Sequence, residues 1–266
     1  MTVSVVVPTR NSMRTLAACL HSIRAQDTPV ELIVVDNAST DGTYELAREL
    51  ADVAVRGGPE RSAQRNAGVR LAAAAWILWI DADMVLPPST VSAALATAKE
   101  TGADAVAVPE VSVGPGFWTA CRALERSCYV DDANLHNPRL LRRELLLGGG
   151  AFDPAMAGPE DADLRLRLRS AGTRTALCPD VLIVHDEGRL TLRSILAKRV
   201  YYGRSLPAFA AKNPGALAGQ GAGTLAALVR HRRRLARDPV HTAGLLAMRA
   251  AETAAYAVGY LKGRRR

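Results

Sequence analysis

The chain has 266 residues, 48% of them hydrophobic and 23% charged, with a formal net charge of +8. That composition excludes a disordered or collagen-like chain and leaves room for a substantial core in one large domain or two closely joined lobes. From Arg189 onward 16 Lys or Arg stand against Asp238 and Glu252, a balance of +14, whereas the remainder carries 18 against 24, a balance of −6; a mildly acidic body with a strongly basic tail is expected.

Strands and helices alternate from the start. Val3 to Val7 and Val30 to Val35 are β-branched runs, and between them Leu16, Cys19, Leu20 and Ile23 recur at the spacing of a crossover helix. The rhythm continues through a helix near Tyr44 to Leu50, a strand at Val53 to Val55, a helix near Ser62 to Ala75 and a buried strand at Trp76 to Ile80. Pro87-Pro88 then opens a helix near Thr90 to Thr101, followed by a strand at Ala105 to Val108. This pattern predicts an α/β fold with a Rossmann-like, mainly parallel sheet flanked by helices. Cys19, Cys121, Cys128 and Cys178 are scattered without a Cys-x-x-Cys pair, and the first strand begins almost at Met1 with no signal peptide before it. Core cysteines in a reducing cytoplasm are the expectation.

Two carboxylates, Asp81 and Asp83, follow the Trp76 to Ile80 run with only Ala82 between them. Hard oxygen ligands where a buried strand leaves the core can hold Mg2+ or Mn2+ against a diphosphate, though carboxylates there also serve as solvated turn residues. Upstream lie Pro8-Thr9-Arg10-Asn11 after the first strand, Asp36-Asn37-Ala38-Ser39-Thr40-Asp41-Gly42-Thr43 after the second, and Arg61-Ser62-Ala63-Gln64-Arg65-Asn66-Ala67-Gly68. No G-x-G-x-x-G follows the first strand, which argues against a Rossmann dehydrogenase, nor does the Gly-rich basic signature of a nucleotidyltransferase. In this order and spacing the four segments resemble the nucleotide-binding half of family 2 glycosyltransferases, over roughly residues 3 to 187.

The resemblance implies the GT-A fold, a nucleotide-sugar donor and roles for particular residues. Pro8, Thr9 and Arg10 would line the nucleotide site, and Asp36 would meet the uracil or ribose; the alternative is a turn ahead of a capped helix. Arg65 and Asn66 match the family's Arg-Asn-x-Gly segment, with Arg65 orienting Asp81 or binding the nucleotide, while Arg61 and Arg70 read as surface charges. Asp83 would ligate the metal directly, Asp81 would lie nearer the ribose or bind through water, and His185 would complete the coordination shell or merely end its strand. Glu160-Asp161-Ala162-Asp163-Leu164 resembles the Glu-Asp-x-Asp-Leu segment of inverting members, which makes Asp161 the general base on a helix that starts after Pro159; Arg165, one turn on, would help to keep it ionised. The run Gly148-Gly149-Gly150 ahead of it is flexible enough for a sugar to approach the backbone.

The expected division is a nucleotide-sugar-binding lobe at 1–112, an acceptor-binding lobe at 113–188 and a basic helical extension at 189–266. In that extension Gly203 to Gly223 reads as a loop, a linker or broken short helices. Farther on, Thr242, Arg249, Glu252 and Thr253 form one helical stripe opposite Leu246, Ala250, Ala254 and Val258. Such a helix suits an interface or a partner, and clustered Arg on both sides suggests an anionic membrane surface at the cytoplasmic face; no nucleic-acid-binding motif is present. The expected activity is metal-assisted, inverting transfer of a sugar from a nucleoside diphosphate, UDP favoured over GDP, to a hydroxyl of a glycan, lipid-linked or small-molecule acceptor. Transfer to a polyprenyl phosphate and a non-catalytic nucleotide-sugar-binding scaffold are the alternatives, and oligomers are compatible with either.

Overall fold

A computed structural model describes residues 2–148 and 151–264. Its elements in chain order are β1 (Val3–Thr9), α1 (Met13–Arg24), β2 (Val30–Asp36), α2 (Thr43–Leu50), β3 (Val53–Arg56), α3 (Arg61–Leu71), β4 (Trp76–Trp79), β5 (Met84–Val85), α4 (Thr90–Thr101) and β6 (Ala105–Ala107). There follow β7 (Glu110–Val113), α5 (Phe117–Ser127), β8 (Pro138–Arg142), α6 (Arg143–Gly148), α7 (Glu160–Ser170), β9 (Thr175–Leu177) and β10 (Ile183–Asp186). The chain ends in α8 (Leu192–Gly203), α9 (Leu206–Lys212), α10 (Ala216–Arg230), α11 (Arg232–Ala236) and α12 (Pro239–Gly263). Two compact units result, Met1–Pro109 with Asn137–Pro154 and Glu160–His185, and Glu110–His136 with Ala155–Pro159 and Asp186–Arg266. Much of the stretch read as an acceptor lobe thus folds with the first strands.

The first unit is built on a seven-stranded sheet of order β3-β2-β1-β4-β8-β6-β9. β1 pairs in parallel with β2 and with β4, whereas β8 runs antiparallel to both β4 and β6. Because every residue of β1 and β4 is buried, these strands read as continuous apolar runs without alternation. The chain moves outward from β1 to β3 and then returns to the other side of β1 with β4. Such a reversal opens a crevice at the carboxyl ends of the strands beside it, the place where open α/β sheets bind ligands. Thr9, Asp36 and the Asp81 to Asp83 turn all lie at those ends.

Helix α3 approaches β1 closely because Gly68 has no side chain: a Cβ there would collide with the Val6 side chain. The Gly of the Arg-Asn-x-Gly segment therefore sets how near α3, and with it Arg65, comes to the sheet. The four cysteines are buried and unpaired, as their scatter suggested.

In the second unit α12 packs on α8 backbone to backbone, and a methyl group on Gly203 would lie 2.8 Å from Gly259 Cα. Gly203 to Gly223 is broken helix, covering the end of α8, all of α9 and half of α10. Of the polar stripe of α12, Glu252 and Arg249 face the protein, whereas Thr253 is exposed. Glu252 is 1% exposed and is held by Arg122 of α5 and by Arg199 of α8 at 2.7 Å, while Arg249 Nε reaches Glu125 at 2.9 Å. Arginines and acids on the neighbouring helices draw these two inward, and the apolar row with Leu246 and Val258 is left outside, 58% and 45% exposed.

Candidate active site

Arg65 is the centre of the site. It is fully buried on α3, and its two terminal nitrogens divide between two carboxylates: Nη2 donates to Asp81 Oδ1 at 2.7 Å and Nη1 to Asp161 Oδ1 at 2.6 Å. Its flat face lies 4.1 Å from the Trp79 ring centre and 4.9 Å from that of Phe152, and the two rings meet edge to face. A planar fork stacked on aromatic surface can bridge two acids in this way where a lysine cannot. The bridge joins residues 96 positions apart, so the carboxylate following β4 and the one opening α7 are fixed relative to each other.

The acids differ in what holds them. Asp81 would be raised by its burial, but Arg65 first, then Arg61, Arg139 and His185, hold it far below the usual carboxylate range. Glu160, 1% exposed, is pushed up by burial and by Asp161, against the opposing pull of Arg61 and Arg65. Arg61 is therefore more than the surface charge expected: its guanidinium closes on Glu160, with Nε at 2.8 Å, because α7 brings a buried acid to the start of α3. Arg165, lowered by burial, feels Asp161 as an opposing stabilising charge.

Asp83 and His185 form a second pair. β10 runs antiparallel to β5 with His185 opposite Met84, which sets His185 Nε2 3.3 Å from Asp83 Oδ2. Asp83 Oδ1 is buried and has no hydrogen-bond partner. Among the described residues no three His, Cys, Asp or Glu side chains gather as a metal site, and Asp81 is turned to Arg65. Two protein ligands with an orphaned carboxylate oxygen suit an ion that takes its remaining ligands from substrate phosphates and water.

The other candidates are differently placed. Thr9 is buried and its Oγ1 has no partner, whereas Arg10 is exposed and Pro8 is buried. Ala82 is buried within the turn. Asp36 is inaccessible in this structure, its carboxylate accepting from the Ser39 amide at 2.9 Å and from the Ser39 hydroxyl. Asn66 exchanges two hydrogen bonds with the Phe152 backbone, at 2.7 and 2.9 Å, and so pins the ring that covers Arg65. Of the Gly148-Gly149-Gly150 run, Gly149 and Gly150 lie outside the described residues. Arg139 on β8 was not singled out by its sequence: a lone Arg beside Leu140-Leu141 carries no motif. It is 6% exposed, stacks on the face of Trp79 at 4.5 Å, and acts electrostatically on Asp81, Asp161 and Asp83.

Residues 4–155, more than half of the chain, match Glycosyl transferase family 2. The chain belongs to that family. It is 29% identical over 193 residues to the succinoglycan biosynthesis protein ExoA of Rhizobium meliloti, covering 64% of this chain and 58% of that protein. It is 30% identical over 201 residues to the glycosyltransferase AglE of Haloferax volcanii, covering 69% and 66%. Against the pre-mycofactocin glycosyltransferase of Mycobacterium tuberculosis it is 28% identical over 231 residues, covering 80% and 48%. The chain thus spans about half to two thirds of the length of these curated relatives. Among solved structures it resembles the mannosyltransferase PcManGT of Pyrobaculum calidifontis in complex with GDP-Man and Mn2+, with a TM-score of 0.67, 22% identity and coverage of 98% and 86%. It also resembles S. aureus TarS in complex with UDP-GlcNAc, with a TM-score of 0.58, 18% identity and coverage of 100% and 92%. The fold is of the GT-A type.

Proposed function

We propose that this family 2 chain transfers a sugar from a nucleoside diphosphate to an acceptor hydroxyl with inversion at the anomeric carbon. The Arg65 bridge between Asp81 and Asp161 carries the reading, because it sets an acid of the strand-end crevice and an acid of a helix start within reach of one guanidinium. Arg65 occupies Asp161 Oδ1. Oδ2 is then the atom that takes the acceptor proton. A carboxylate performs this step if the hydroxyl gives up its proton late, as the glycosidic bond to the departing diphosphate breaks.

Asp83 and His185 would hold Mg2+ or Mn2+, with Asp81 nearby, and the ion would supply charge to offset the phosphates of the leaving group. The buried, unpartnered Asp83 Oδ1 supports that assignment. Pro8 and Thr9 end β1 and Arg10 follows it, at the same end of the sheet, and all three would meet the nucleotide. Asp36 would do so only if the turn that Ser39 closes over it opened. UDP is favoured from the family resemblance. GDP is the second choice, and the two solved neighbours divide between a uridine and a guanosine donor.

Acceptors that are already anions, such as a polyprenyl phosphate, need no base, so a carboxylate in the place of Asp161 favours a neutral hydroxyl. Screening a panel of nucleotide sugars for diphosphate release, with Mn2+ and with Mg2+, tests the proposal. At least one donor should be turned over or slowly hydrolysed in a manner that Asp83→Ala abolishes. Nucleotide-sugar binding with no release under any condition would leave a non-catalytic scaffold instead.

A further inference from the structure

We propose that the outward row of α12 docks on the headgroup region of an anionic lipid bilayer. At about 1.5 Å per residue the 25 residues of α12 make a rod roughly 37 Å long. Along its outer side Val240, Leu246, Val258 and Leu261 are 65%, 58%, 45% and 58% exposed, with exposed alanines filling the turns between them. An ordinary solvent-facing helix carries its charges on that side. Here Glu252 and Arg249 are drawn into the network with α5 and α8, so the exposed residues from Val240 to Leu261 include no charged one and are apolar except for Thr253.

Charge at the two ends identifies the occupant. Arg232, Arg233 and Arg237 precede α12, are exposed and make no ion pair with any described residue; Lys262 and Arg264 are exposed at its far end. The stretch has two acids, and neither offsets this charge on the outer row: Asp238 caps α12 and pairs with His241, and Glu252 is buried. Two copies of the chain meeting along this row would set cationic ends against cationic ends or against an uncharged middle. Lipid phosphates complement the arginines, and the boundary between headgroups and acyl chains complements Leu and Val. No described helix is long and apolar enough to cross a membrane, so the contact is one of lying on the surface.

The test is flotation of the full chain with vesicles of phosphatidylcholine alone or mixed with phosphatidylglycerol, at low and high salt. Binding is expected only to the mixed vesicles, and salt should weaken it. The double variant L246E/V258E, whose sites are on the surface, should lose about tenfold or more in vesicle affinity with unchanged helical circular dichroism, and R232E/R233E/R237E about a hundredfold. Full binding by L246E/V258E would overturn the proposal in favour of charge alone. So would absence of flotation, including the case in which a concentration-dependent dimer forms without vesicles and L246E/V258E dissolves it. Diphosphate release measured on the same proteins reports on the active site separately, because no residue of that site is altered.

Discussion

His185 Nε2 stands 3.3 Å from Asp83 Oδ2 because β10 is zipped antiparallel onto β5 directly after the Asp81 to Asp83 turn. The pair is made by strand register and does not depend on a long flexible side chain. A ligand set of this kind is expected to be formed before the donor arrives.

Asp83→Ala is expected to lower metal-dependent nucleotide affinity by about a hundredfold or more, and His185→Ala by about tenfold or more. Isothermal titration with UDP, with and without Mn2+, checks both. Thermal stability should change little in Asp83→Ala, since Oδ1 is unpartnered and Oδ2 loses only its 3.3 Å contact with His185. An unaltered dependence on metal would remove Asp83 from the site.

Asp161→Asn keeps an acceptor for Arg65 but loses most of its basicity. Turnover should fall by roughly two orders of magnitude or more while donor affinity is kept. Single-turnover measurements with a hydroxyl acceptor distinguish this from a binding defect. Near-normal rates would place the base elsewhere.

Arg65→Met preserves much of the side-chain volume and deletes the bridge. With Asp81 and Asp161 deprived of the guanidinium they share, unfolding in denaturant should show a loss of about 3 kcal/mol or more, accompanied by loss of activity. Arg65→Lys should recover part of the stability and little of the turnover, since one ammonium cannot present two parallel donors. Equal recovery of both would mean that the charge, and not the fork, is what matters.

Glu160 is a carboxyl raised above its ordinary value, so its contribution to stability is full below about pH 4 and is lost as pH rises through the folded value. Arg61 opposes that loss. Its replacement in Arg61→Met should therefore cost little in acid and about 1–2 kcal/mol more at neutral pH, a modest figure because the Arg61 side chain is 34% exposed. Denaturant unfolding across this range, with Glu160→Gln as the control that flattens the difference, is the measurement. A penalty independent of pH would disprove the coupling.

β1, β2 and β4 could be read from the chain because strands buried on both faces are unbroken apolar runs, and Asp81 and Asp83 stand out because they follow one of them, whereas β8 and β9 carry no such signal. Helix α7 was placed correctly by Pro159 and its acidic first turn. Pairings between distant residues were hidden: nothing local in Arg61 announces Glu160, 99 positions away, and nothing in Pro138-Arg139-Leu140-Leu141 announces a guanidinium stacked on Trp79. Periodicity gave α12 its two stripes but not which one faces inward, since that depends on arginines supplied by α5 and α8. Residue type and motif suggested Asp36 and Asn66 as polar groups toward the carboxyl ends of the strands. They did not reveal that Ser39 and the Phe152 backbone engage them.

The span of the Arg65 bridge also bears on how the protein is made. The ribosome delivers Arg65 and Asp81 long before Asp161, and the segment matched to the family ends at residue 155, short of both Glu160 and Asp161. Until α7 emerges, the guanidinium destined for the interior lacks one of its two carboxylates, a state that burial strongly disfavours. The Asp81 end of the sheet is thus expected to stay open on the nascent chain and to close late, when a single helical turn supplies the missing charge.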